Sequence, residues 1–105
     1  MAARKYIPPI EWLAPGVEWP AGPLRADAPG YAITTAALVR RLQAVMAERG
    51  LTLRAAAQPA GIDPTSLSRL LTGKVVPDLG TIAALEDCLE VDLWPPRLSR
   101  GKAGG

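Results

Sequence analysis

From residue 34 onward, apolar positions recur at helical spacing. Leu38, Leu42, Val45 and Met46 lie three, four or seven apart and predict a first helix. Thr34 or Thr35 can cap its start, and Gly50 is a suitable stop beyond Arg49. Thr52 then caps a second helix, "LRAAAQ", whose small Ala56, Ala57 and Ala60 allow a neighbouring helix to approach closely. Pro59 has no N–H to give to the carbonyl of Ala55, so this helix ends a residue or two early. Gly61 permits a tight turn at positive φ. Asp63 caps a third helix over 63–72, with Pro64 at its first position and Gly73 as its stop. Asp78 caps a fourth, with Leu79, Ile82, Leu85 and Leu89 facing inward. Val91, Leu93 and Trp94 make a short fifth element before Pro95-Pro96. Leu67, Leu70, Ile82, Leu85, Leu89 and Trp94 are the expected core.

Before residue 34 the pattern changes. Proline recurs through residues 1–33 too often for a helix of any length. Yet Tyr6, Ile7, Ile10, Trp12, Leu13, Val17, Trp19, Leu24 and Tyr31 make the stretch too apolar for an ordinary disordered tail. Two readings stand. Either this Pro/Trp-rich arm is ordered and packs Trp12 and Trp19 back on a small core, or Tyr6, Trp12 and Trp19 form an interface for a second copy or another protein. Residues 97–105, "RLSRGKAGG", read as a basic, flexible tail that can add phosphate contacts.

The third helix has an unusual face. At about 100° per residue, Thr65, Ser68, Arg69 and Thr72 fall on one side, while Leu67, Leu70 and Leu71 fall on the other. Ser66 lies at the edge. The front carries short hydroxyls and one guanidinium where a solvated face would usually carry Lys–Glu pairs. Short side chains permit close approach, a major groove admits one helix, and Arg can bond guanine O6 and N7 together. Taken singly, Arg69 also fits a solvated surface, Thr52 a plain cap, and Lys74 an ordinary turn.

Composition narrows the chemistry. The 105 residues suffice for one small domain at most. There is no His and one Cys, which excludes the usual nitrogen and sulfur metal sites and any Ser-His or Cys-His pair. No enzyme and no cofactor is expected. Cys88, beside Asp87 and Glu90, reads as an inert thiol, and Glu86-Asp87 as a solvated face. No internal disulfide, secretory h-region or bilayer-length apolar run is visible, so a soluble, cytoplasmic protein without membrane association is expected. The net charge of +2 hides a partition. The arm is neutral, residues 34–96 balance near −1, and the tail holds Arg97, Arg100 and Lys102. Within the helical segment basic residues precede 75 and acids gather from 78 to 92, predicting one positive and one negative end.

Leu42, Arg49-Gly50, Leu51-Thr52, Ala57, Gly61-Ile62, Leu67, Leu70, "TGKVVP", Leu85, Leu89 and Val91 together resemble the helix-turn-helix domains of the Cro and phage-repressor type, the XRE family. The likeness spans roughly residues 36–95. It implies an all-α, lambda-repressor-like five-helix fold over 34–96. It implies that helix 63–72 enters the major groove of double-stranded DNA, with Thr65, Ser66 and Arg69, and less directly Ser68, as base readers. It further implies phosphate contacts from Thr52, the N–H of Leu53, and Arg54 at the start of the second helix, and from Thr72 and Lys74 after the third. Two departures stand out. Leu53 occupies a place where relatives often carry Gln, and Met46 and Leu71 replace an Arg–Glu pair with an apolar contact. The function implied is a homodimeric, bacterial or phage-encoded transcriptional regulator, a repressor acting by occupancy. The alternative is a protein-interaction module, such as an antitoxin or a phage or plasmid accessory factor, that uses the arm.

Overall fold

The computed structural model describes residues 6–97. Local punctuation sets the bounds of four α-helices: α1 (Gly30–Arg49), α2 (Leu53–Ala57), α3 (Pro64–Leu71) and α4 (Leu79–Leu89). A 3-10 turn, Pro9–Trp12, precedes them. Thr52, Asp63 and Asp78 cap α2, α3 and α4 as expected, each accepting a backbone N–H of the first turn. Gly50 ends α1 at φ 61°, and Gly61 turns the chain at φ 70°. The second helix stops at Ala57, ahead of Pro59. Among the described residues no helix is long and apolar enough to cross a membrane.

One core joins the four helices. Leu38, Val39, Leu42 and Val45 of α1 meet Ala56, Ala57, Leu67, Leu70, Ile82, Leu85 and Leu89, with Leu93 closing the cluster. Met46 and Leu71 both pack against it, consistent with an apolar replacement.

Four expectations give way. First, α1 begins at Gly30, ahead of Thr34 and Thr35. The carbonyl of Pro29 accepts the first bonds, from Ala32 and Ile33. Thr35 is buried inside the helix and donates its hydroxyl to the Tyr31 carbonyl one turn back. Second, residues 91–94 form no helix. Glu90 adopts a left-handed conformation at φ 55° and ends α4. The amides of Leu93 and Trp94 then donate to the Glu86 carboxylate, at 2.7 and 3.0 Å, in place of helical carbonyls. Glu86 is therefore a structural acceptor rather than part of a solvated face. Third, burial alternates along this run: Leu93 and Pro95 are buried while Trp94 is 48% exposed. Fourth, Leu79 is 74% exposed, because it opens α4 one turn before the packed stripe begins at Ile82.

The arm is ordered against the helices from residue 6. It doubles back on itself through an antiparallel bridge between Leu13 and Leu24, with Ala14 donating to Pro23 and Arg25 to Trp12. Arg25 lies over the Trp12 ring, 5.3 Å from its centroid, and pairs with Asp27. Trp12 donates its indole N–H to the Tyr31 hydroxyl (3.1 Å), which donates in turn to the Ile7 carbonyl (2.9 Å). The rings of Tyr6 and Tyr31 sit 4.5 Å apart. Arg40 of α1 donates to the Pro20 carbonyl. The basic tail expected at 97–105 lies, apart from Arg97, outside the described residues.

Candidate nucleic-acid interface

Two short helices and a turn build the site. At the start of α2, Thr52 Oγ1 accepts the N–H of Ala55 at 3.1 Å. The N–H of Leu53 falls in the first turn, where a helix has no carbonyl to offer. After Ala57 the chain closes a tight turn in which Ala60 and Ile62 both donate to the Ala57 carbonyl. Cys88 donates its thiol to the Pro59 carbonyl at 3.1 Å and so ties this turn to α4. Asp63 Oδ1 then accepts the N–H of Thr65 at 2.7 Å and fixes the start of α3.

The two sides of α3 differ sharply. Leu67 and Leu70 are buried in the core and Leu71 half-buried against it. Thr65, Ser66, Arg69 and Thr72 are exposed, and Ser68 is half-buried at the margin. Ser66, placed at the edge by angle, is thus more open than Ser68. The Thr72 hydroxyl donates to the Ser68 carbonyl at 2.8 Å, so its hydrogen is directed at its own helix. Thr52 differs, since accepting the Ala55 N–H leaves its hydroxyl hydrogen available. Arg54 and Lys74 are exposed.

The positive charge is narrower than the sequence partition suggests. Arg49 of α1 donates to the last carbonyl of α4, Leu89, at 2.6 Å, and Arg41 reaches the Asp92 carbonyl at 3.4 Å. Guanidinium groups are favoured there because a helix C-terminus presents unpaired carbonyls and partial negative charge. The α1 arginines therefore sit with the acidic end or the arm, and Arg54, Arg69 and Lys74 remain around α2 and α3. Asp78, next in the chain, is held below its ordinary pKa of 3.8 by hydrogen bonds from the Thr81 N–H and side chain.

The C-terminal end of α3 meets the arm. Trp19 donates its indole N–H to the Leu71 carbonyl at 2.9 Å, and the Ile10 N–H donates to the Gly73 carbonyl at 2.9 Å. Gly73 is buried at φ 74°, and a Cβ there would fall 2.6 Å from Trp19 Cε2. Lys74 donates its N–H back to the Arg69 carbonyl, completing the turn. Sequence reasoning treated Gly73 as a helix stop and missed this contact. The available signal was general: a buried indole N–H finds an acceptor. It did not say which one. Tyr6 and Ile7 stay partly exposed at the far end of the arm.

The family model described as a helix-turn-helix domain matches residues 37–94. No curated protein and no solved structure gives a significant match. The matched segment holds both short helices, the turn between them and the core that supports them, and it covers more than half of the 105 residues; the chain belongs to the helix-turn-helix domain family.

Proposed function

We propose that the protein is a sequence-specific DNA-binding transcriptional regulator of the Cro and phage-repressor (XRE) type. The carrying observation is the face of α3: Thr65, Ser66 and Arg69 lie open to solvent directly opposite the buried Leu67 and Leu70. A helix so anchored presents a closely approachable front with one bidentate donor, the requirement for reading a major groove. Arg69 bonds a guanine edge, Thr65 and Ser66 contact bases, and the half-buried Ser68 contributes at the margin. Thr52, the Leu53 N–H and Arg54 hold one phosphate, and Lys74 a second. Thr72 joins Lys74 once its hydroxyl turns from the Ser68 carbonyl.

The protein acts as a homodimer on two half-sites about one helical turn apart. Leu79 and Trp94, both large and exposed, offer apolar surface for a second copy. Repression by occupancy, in a bacterial or phage-infected cytoplasm, follows from a helix that covers the duplex it reads. The alternative of a protein-interaction module draws on the exposed surface of Tyr6 and Ile7 in the arm.

Selection from random duplex DNA at moderate salt tests the reading. The wild type enriches one motif, and Arg69→Ala weakens binding by about 1–3 kcal/mol while relaxing one base position. Failure of the wild type to enrich any motif refutes it.

A further inference from the structure

We infer that Trp19 is a positioning residue for base reading, acting from the arm through the C-terminal end of α3 without touching DNA. The inference rests on the DNA-reading assignment of α3. That helix has eight residues, a length at which backbone bonding alone leaves both ends prone to fray. Its start is fixed by Asp63. Its end closes locally, with the N–H groups of Gly73 and Lys74 returning to the Leu70 and Arg69 carbonyls. The arm adds to this: the Leu71 carbonyl receives the Trp19 indole N–H, and the Gly73 carbonyl receives the Ile10 N–H. The ring is seated against Gly73, where the missing Cβ gives it room.

The clamped turn is the functional one. The Arg69 carbonyl accepts the N–H of Lys74, so the backbone that aims Arg69 also closes the loop carrying Lys74. Loosening Leu71–Gly73 lets that turn move. Arg69 and Lys74 then lose their fixed separation. Contact with a specific site needs that separation, whereas loose attraction to any duplex does not.

The test uses the full chain with Trp19→Phe, which keeps an aromatic ring and removes the N–H. Binding to the selected motif and to random duplex is measured at a temperature where circular dichroism shows every variant fully folded. Arg69→Ala is the reference for base reading. Glu86→Ala, which removes the acceptor of the Leu93 and Trp94 amides and leaves the arm–α3 bonds in place, is the control for lost stability. Trp19→Phe is expected to bind the motif about three- to tenfold more weakly, the effect of one neutral hydrogen bond, with random-duplex affinity unchanged. Amide exchange at 72–74 quickens in the same variant, and Glu86→Ala binds as the wild type does. Motif affinity within twofold of wild type, with Arg69→Ala still impaired, overturns the positioning role and leaves the DNA reading intact. Equal losses on motif and random DNA, or an equal loss in Glu86→Ala, also overturn it. A wild type that selects no motif overturns the underlying reading instead.

Discussion

A single methyl group at residue 73 separates backbone strain from arm packing. Gly73 sits at φ 74°, where a side chain costs about 1–2 kcal/mol. In Gly73→Ala the new Cβ would also lie 2.6 and 2.8 Å from Trp19 Cε2 and Cζ2, and 3.0 Å from Ile10 Cβ. The ring does not swing away without breaking its bond to the Leu71 carbonyl, so overpacking adds about 1–3 kcal/mol. The expected loss is thus about 2–5 kcal/mol, a large share of the roughly 5–15 kcal/mol that holds a domain folded. Gly50→Ala is the internal control. Its φ is 61° and nothing lies within 4 Å of its Cβ, so only the backbone part, about 1–2 kcal/mol, applies. Both substitutions restrict the unfolded chain equally, so that effect cancels in the comparison. Urea denaturation followed by circular dichroism and tryptophan fluorescence gives both values. In a Trp19→Ala background the Gly73→Ala loss falls toward that of Gly50→Ala. Equal losses for the two glycines in the wild-type background, or no relief when Trp19 is removed, refute the seating of the arm on α3.

Three further outcomes follow from the same geometry. Asp78 has a folded pKa below its unfolded value, so its stabilisation is complete above about pH 4 and fades as pH falls through the depressed value. Urea midpoints of Asp78→Asn against wild type are expected to converge on the acid side and separate above it. Leu42→Ala, at a fully buried position of α1, lowers stability by about 2–5 kcal/mol in the same assay. Glu86→Ala strands the Leu93 amide and costs about 1–3 kcal/mol, while Glu86→Gln keeps a carbonyl acceptor and costs less, as read from thermal melts.

Features governed by near neighbours were legible in the sequence. Thr52, Asp63 and Asp78 cap because each side chain reaches an amide two or three residues on, and the split between Leu67–Leu70 and Thr65–Arg69 is fixed by helix geometry. Residues with two local options were not. Thr35 can cap a helix start or bond a carbonyl one turn back, and its burial selects the second. Leu93 and Trp94 read alike by hydropathy, but the Glu86 carboxylate pulls their amides out of helical register and turns one ring outward. The arm's docking depended on distant partners: Trp19 and the Leu71 carbonyl are separated by 52 residues, and no local pattern joins them.

The burial of α1 shows why the arm belongs to the folded unit rather than beside it. Five consecutive residues, Thr35 to Val39, are all buried. A helix packed on one side buries a stripe, not an unbroken run of more than a full turn. Such a run requires cover from two directions. Leu38, Leu42 and Val45 face the other helices, and the arm supplies the second cover, held across α1 by the Tyr31 hydroxyl and by Arg40 on the Pro20 carbonyl. The family match begins at residue 37, partway along this helix, and so omits the buried Ala32, Thr35 and Ala36. The same arm then continues to the Leu71 carbonyl and the Gly73 loop. Packing against α1 therefore fixes the arm, and the fixed arm holds the end of α3. On the proposed DNA reading, a change at the arm–α1 contact reaches, through Trp19 and Ile10, the turn that follows Arg69.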